Sequence, residues 1–208
     1  SMRSPAYSMA NEVVMDMSFY DDRTGAVSTQ TGGLYITNNQ GLSWQDISPP
    51  ATGAIIGVCF VGSPSNILAC SNGGSILVTT NGGNNWKVNT LDICVFSVRS
   101  GNGGTAYAIA GPTLGGGKLY ETNDAGQNWR PMQGTYDWDS FSFERDLCDT
   151  STFYISNEEI IAPVDRLSSI YVTHNSGSSW TPNSPHSLPY YCGSIAVSRN
   201  SVFAQSYS

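Results

Sequence analysis

The sequence is poor in charge. Of its 208 residues only 12% are Asp, Glu, Lys or Arg, and the nine basic ones never cluster. Arg3, Arg23, Lys87, Arg99, Lys118, Arg130, Arg145, Arg166 and Arg199 stand singly in a chain of net charge −7. A nucleic-acid binder needs grouped cations to displace counterions from phosphates, so no nucleic-acid partner is expected. No apolar run approaches the roughly 20 residues that span a bilayer as a helix, so no membrane insertion is expected. No stretch keeps apolar residues at helical spacing for three turns. None of the five cysteines (Cys59, Cys70, Cys94, Cys148, Cys192) has a partner at the two-residue spacing of a zinc or redox motif. Histidine is limited to His174 and His186, too few for an imidazole metal site, and no cofactor or metal is expected. There is no N-x-S/T sequon and no G-x-S-x-G elbow. The stretch GPTLGGGKL (Gly111–Leu119) fails as a phosphate loop, because Pro112 takes the first glycine's place and Leu119 follows the lysine.

What is present is glycine (22) and proline (10), with Ser, Thr and Asn set between short apolar runs. That pattern reads as many short strands joined by tight turns, an all-β chain. One turn recurs: ITNNQGLSW (Ile36–Trp44), VTTNGGNNW (Val78–Trp86), ETNDAGQNW (Glu121–Trp129) and VTHNSGSSW (Val172–Trp180). Its threonines, Thr37, Thr79, Thr122 and Thr173, are 42, 43 and 51 residues apart. A period of about 40–50 residues in a strand-rich chain predicts one four-stranded propeller blade per repeat.

Within each unit the opening strand reads Met17-Ser18-Phe19, Val58-Cys59-Phe60, Phe96-Ser97-Val98, Phe141-Ser142-Phe143 and Ile195-Ala196-Val197. Strand side chains alternate between faces, so a column of small residues is expected where sheets converge, with Cys59 a small buried filler. In the turns, Asn39, Asn81, Asp124 and Asn175 are placed to accept bonds from turn amides. Gly41, Gly83, Gly126 and Gly177 sit where positive φ is expected. Trp44, Trp86, Trp129 and Trp180 open the outer strand and are expected to wedge between blades.

This pattern, T-x-[ND]-x-G-x-[SN]-W, resembles the Asp-box (BNR) repeat of sialidases, xyloglucan hydrolases, sortilin-type receptors and photosystem II assembly factors. The first unit is most similar in style to the assembly-factor and sortilin propellers. The resemblance implies a β-propeller of four-stranded antiparallel blades, four of them complete and a fifth partial. It also implies that the box marks the fold, away from the active face. Three of the four acidic places hold Asn, so no consistent carboxylate set for calcium is expected. Residues 1–11 read as a tag remnant and leading segment, and 12–208 as blades at about 12–48, 54–90, 93–130, 139–181 and a partial 193–208. The expectation is a piece of a larger propeller whose open edges favour self-association.

Two stretches carry candidate binding residues: RPMQGTYDWDSF, with Arg130, Tyr136, Asp137, Trp138 and Asp139, and SPHSLPYYC, with His186, Tyr190 and Tyr191. They fall in connections expected on the face opposite the boxes, together with Gly111–Lys118 and Ser156–Ser169. Exposed aromatics beside carboxylates suit a sugar or a peptide. Asp137 and Asp139 form a conceivable acid/base pair, but no second carboxylate cluster faces them. The sialidase arginine cluster and its F/Y-R-I-P segment are missing, and Asp16 is the only plausible half of a xyloglucan hydrolase pair. No catalytic residue is assigned. The expected function is a non-catalytic scaffold that presents a loop face to a protein, peptide or glycan. The alternatives are a glycoside hydrolase fragment and a luminal sorting-receptor module in which Cys59 and Cys70 could bridge. The resemblance implies a secreted or luminal setting.

Overall fold

The structure, a computed structural model, describes residues 12–50, 53–112, 117–132, 143–145, 151–160, 166–183, 188–189, 191–198 and 201–207. All regular structure among them is strand, so no described helix is long and apolar enough to cross a membrane. The strands form successive antiparallel sheets, each a meander in chain order. The first holds β1 (Val14–Phe19), β2 (Gly25–Thr29), β3 (Leu34–Thr37) and β4 (Gln45–Asp46). The second holds β5 (Ile55–Val61), β6 (Ser63–Ser71), β7 (Ser75–Thr79) and β8 (Lys87–Thr90). The third holds β9 (Cys94–Ser100), β10 (Ala106–Gly111), β11 (Lys118–Thr122) and β12 (Arg130–Pro131). The fourth holds β13 (Phe143–Arg145), β14 (Phe153–Ile160), β15 (Arg166–Thr173) and β16 (Thr181–Pro182), with β17 (Leu188–Pro189) also paired to β15. β18 (Tyr191–Ser198) and β19 (Ser201–Tyr207) form a two-stranded fifth sheet. First strands of successive sheets touch one another, β1 with β5, β5 with β9, β9 with β13 and β13 with β18. That is the blade arrangement of a β-propeller, with the first strands innermost.

Each turn is tied by a threonine hydroxyl. Thr37 Oγ1 donates to Asn39 Oδ1 (2.9 Å) and accepts the amides of Asn39 (3.3 Å) and Gly41 (2.9 Å). Asn39 Oδ1 in turn accepts the Ser43 amide at 3.0 Å. The same bonds recur around Thr79, Thr122 and Thr173. The knot holds two consecutive residues in the left-handed region. The glycines Gly41, Gly83, Gly126 and Gly177 lie at φ of 81°, 90°, 86° and 83°, and Gln40, Gly82, Ala125 and Ser176 precede them at 64°, 68°, 56° and 55°. Glycine is needed at the second place for a further reason. A methyl on Gly83 would lie 2.5 Å from Ile47 Cβ of the first sheet, and one on Gly126 would collide with Leu68 of the second.

The sheets pack through seams. Ala26, Leu34 and Ile47 meet Val58, Phe60, Ile67, Ala69 and Leu77 at the first seam. Cys59, Leu68, Cys70, Ile76 and Val78 meet Val95, Val98, Ala106 and Ala108 at the second. Tyr107, Ile109 and Leu119 meet Phe143, Phe153 and Ile155 at the third, where Tyr107 and Phe153 have ring centroids 4.8 Å apart. Trp86, Trp129 and Trp180 each flank the seam with the preceding sheet, half-buried. Trp86 Nε1 crosses its seam to bond Ile47 O at 3.0 Å.

Three expectations need correction. By strand pairing the residues equivalent to Val58-Cys59-Phe60 are Val98-Arg99-Ser100 and Phe143-Glu144-Arg145, two places later than the pattern suggested. Phe96 is the extra residue of a β-bulge; Met15, Ile56 and Gly193 occupy the same place in the first, second and fifth sheets. A two-residue slip preserves which face each side chain takes, so alternation could not reveal it. The column of small residues is therefore Ser18, Cys59, Arg99, Glu144 and Ala196, and two of its members are charged. Second, most of Ser156–Ser169 is hairpin and not loop, since β14 pairs with β15 out to Ile160–Arg166. Third, Cys59 and Cys70 are free and buried, not bridged.

Two outcomes test the turn. Gly126→Ala, strained in φ and blocked by Leu68, is expected to lose more than about 2 kcal/mol. Gly82→Ala, with open space at its Cβ, is expected to lose about 1 kcal/mol. Equal losses in urea unfolding would refute the role of the close approach. Asp124 is held at about 2, below its ordinary 3.8, chiefly by the Asn128 side-chain amide and then by the Asn128 backbone N–H. A folded value below the unfolded one stabilises above about pH 4, and that contribution disappears as pH falls through 2. A carboxyl carbon resonance should titrate near 2, and Asp124→Asn should lose less stability than the parent chain on acidification from pH 4 to 2.

Candidate functional site

The innermost strands carry one unpaired edge each, and a charged cluster meets it. Asp16 on β1 accepts the Val58 amide of β5 at Oδ2 (3.0 Å) and its own neighbour Met17 N–H at Oδ1 (2.9 Å). Arg99 on β9 reaches the same Oδ2 with Nη1 (3.4 Å) and bonds Val98 O (2.9 Å). Its Nε donates to Glu144 Oε1 of β13 at 2.8 Å. One guanidinium and two carboxylates thus join four sheets. Burial disfavours the charged guanidinium, but Glu144 and Asp16 outweigh it and hold the Arg99 pKa above its ordinary value. The three side chains keep 29%, 22% and 26% of their exposure, so solvent reaches them. Ser97 sits in β9 where Asp16 sits in β1, and its buried Oγ has no partner among the described residues. Sequence reasoning missed Arg99 and Glu144 because the register slip removed them from the axial column.

Arg130 lies in a strand, opposite Glu121, and not in a loop. It donates to Glu121 Oε2 from Nε (3.2 Å) and Nη2 (2.8 Å). The pair borders a groove of about 530 Å³ whose other walls are Pro131 and Met132 of the third sheet and Ser176, Gly177 and Ser178 of the next turn. This volume lies within the range of about 300–1,000 Å³ common for ligand clefts.

Of the remaining candidate residues, Tyr136, Asp137, Trp138, Asp139, His186 and Tyr190 lie outside the described residues. Tyr191 opens β18, paired with Tyr207. His174 is exposed in its turn, with Nδ1 2.8 Å from Thr152 Oγ1. Burial pushes the Cys59 thiol up to about 12 and the Cys70 thiol further upward, so neither supplies a thiolate nucleophile. Among the described residues no group of three His, Cys, Asp or Glu converges as metal ligands.

A family model described as DUF6242 beta propeller domain matches residues 8–207. No curated protein matches. Among solved structures, an ancestral GH74 enzyme superposes with TM-score 0.61 at 19% identity, over 88% of this chain and 27% of the enzyme. A chain of the nidogen/laminin complex gives TM-score 0.69 at 10% identity, over 94% of this chain and 72% of that one. YCF48 from Cyanidioschyzon merolae gives 0.59 at 16% identity, over 93% and 63%. The chain thus spans about a quarter of the GH74 enzyme's length, and at these identities the likeness is one of fold.

Replacing Arg99 tests the axial cluster. Arg99→Met is expected to cost about 1–3 kcal/mol, between the values for exposed and buried ion pairs. Adding Glu144→Gln should restore part of that loss, because one of the two unpaired carboxylates is removed. Additive losses in urea unfolding of the double variant would contradict the pairing.

Proposed function

We propose, from the premise that this chain belongs to the DUF6242 β-propeller domain family, that it is a non-catalytic binding scaffold for a protein or peptide partner. The observation that carries this reading is the state of the axial carboxylates. A glycoside hydrolase needs one acid free to give a proton to the leaving oxygen and a second free to act on water or on the sugar. Asp16 already holds two backbone amides and a guanidinium, and Glu144 holds the same guanidinium. Their oxygens serve the fold. The likeness to a chain from a nidogen/laminin complex is in keeping with protein binding on such a frame. We read the four tryptophan-ended turns as Asp-boxes, which frees the opposite face for recognition.

The recognition residues in this reading are Tyr136, Asp137, Trp138, Asp139, His186, Tyr190 and Tyr191. Aromatic side chains give large contact area at small entropic cost, and such anchors dominate binding energy. The alternative is hydrolysis of a glycan, which the resemblance to xyloglucan hydrolases suggests; an ancestral GH74 enzyme shares the fold.

Pull-down from a lysate and a glycan array, each run with the parent chain and a Tyr136→Ala/Trp138→Ala double variant, separate the two. Capture of a protein partner weakened at least about tenfold in the double variant supports the scaffold. Turnover of aryl-glycoside or xyloglucan substrates that disappears in Asp16→Asn would replace it with the hydrolase.

A further inference from the structure

We propose that the groove between the third and fourth sheets receives a lysine side chain of an extended partner peptide, its ammonium held by the Glu121 carboxylate and the carbonyls of Gly177 and Ser178. This rests on the scaffold reading and gives it a defined subsite.

The template is the protein's own preceding seam. There Lys87 Nζ donates to Gln127 O at 2.6 Å, and Asn89 Nδ2 donates to Gly126 O at 2.8 Å. Two carbonyls of the third sheet's turn thus each accept a donor from the second sheet's outer strand, Gly126 O also accepting Trp129 Nε1 at 3.1 Å. Strand pairing puts Arg130 where Lys87 stands, since Lys87 faces Val78 and Arg130 faces Glu121, each one residue before the turn threonine. By the same count Met132 stands where Asn89 stands, and Gly177 and Ser178 match Gly126 and Gln127.

At the third seam the donors have changed. Met132 carries a thioether, which has no hydrogen to donate. Arg130 turns back to its own sheet and bonds Glu121. A groove lies here, where the equivalent seam is bridged by Lys87 and Asn89. By that equivalence the turn offers the carbonyls of Gly177 and Ser178, and the Glu121 carboxylate lines the same groove. Both Arg130 bonds fall on Glu121 Oε2, leaving Oε1 without a bond among the described residues.

Chemistry selects lysine as occupant. Its ammonium is a compact donor with three hydrogens, suited to two carbonyls and a carboxylate oxygen. Its aliphatic stem would lie along Met132, a soft and adaptable apolar wall. Arg130 retains 69% of its side-chain exposure, and so exposed an ion pair contributes little to stability. It can therefore swing aside or be displaced. The chain's net charge of −7 attracts a basic peptide.

The experiment is an NMR titration of the full chain with acetyl-Ser-Thr-Val-Lys-Val-Thr-Ser-amide and with the same peptide carrying norleucine for lysine. The lysine peptide should shift the amide signals of Glu121 and Ser176–Ser178 saturably, and the neutral peptide should not. Glu121→Gln should weaken binding about tenfold, and Arg130→Gln should strengthen it about threefold by removing a competing cation. A thermal midpoint for Glu121→Gln within about 2 °C of the parent shows that the fold is retained. Equal shifts from the neutral peptide, or unchanged affinity in Glu121→Gln, overturn the lysine site. A protein partner captured with undiminished affinity by Glu121→Gln overturns this site and leaves the scaffold standing. Capture of no partner by either chain, with no response to the lysine peptide, overturns both.

Discussion

Everything in this architecture depends on a buried threonine hydroxyl. Thr37, Thr79, Thr122 and Thr173 are each no more than 2% exposed, and each Oγ1 gathers two backbone amides while donating to the Asn or Asp two residues on. A single such bond contributes only about 1 kcal/mol net, but an amide left unsatisfied in a buried turn costs about 1–3 kcal/mol. The hydroxyl therefore acts by exclusion, leaving the turn no other low-energy path. That path includes two consecutive left-handed residues, and it delivers the following tryptophan to the edge of its sheet. The turn also sets the height at which the second left-handed residue presses on the preceding sheet, which makes a local knot into a seam contact.

The seams have an unequal division of labour. Away from the axis they are apolar and close-packed, with aromatic rings of Tyr107, Phe143 and Phe153 filling the third. At the axis the strands converge edge first, and unpaired amides and carbonyls cannot be covered by hydrocarbon without loss. Asp16 and Arg99 answer that need, taking the Val58 N–H and the Val98 carbonyl respectively. Sheet three has Ser97 at the place where sheet one has Asp16, and its Oγ has no partner among the described residues. The axial cluster is thus built unevenly from sheet to sheet. Val58, Val98 and Phe143 hold equivalent positions that pack on the preceding sheet and are buried to within 2%, whereas Met17, in the first of the described sheets, keeps 58%.

The turns were legible in the sequence because their chemistry is local. Thr, Asn or Asp, Gly and Trp lie within eight residues, and each is needed for a bond, a φ value or a wedge that neighbours in the chain largely determine. The count of sheets followed from their spacing. The inner-strand register was not legible, for a physical reason. Alternation has a period of two, so Phe96-Ser97-Val98 and Val98-Arg99-Ser100 offer the same faces, and the bulge at Phe96 that separates them leaves no mark in composition. The axial site disappeared from view with that register. Arg99 read only as one of nine scattered basic residues, and Glu144 drew no notice, until pairing to Tyr107 and Tyr154 placed them in one column. The groove beside Arg130 was equally hidden, since it depends on a comparison between two seams that lie far apart in the chain.

That comparison bears on where function arises in a repeat fold. A repeated seam has a default solution, and residues that keep to it serve the fold. Lys87 and Asn89 keep to it, closing their seam on the carbonyls of Gly126 and Gln127. Departures carry more information than agreement. When Met132 replaces a donor and Arg130 withdraws to Glu121, the seam stays together through Met132 against Gly177 while hydrogen-bonding capacity is left facing outward. Stability does not require an acid at Glu121, because Ile36, Val78 and Val172 hold the same place in the other sheets. A carboxylate there costs apolar packing and is offset only by an exposed ion pair of small worth. The same reasoning separates this groove from the axial cluster, where every charge already serves an amide, a carbonyl or an opposite charge. The axial charges complete the fold, and the rim carboxylate is left over from it.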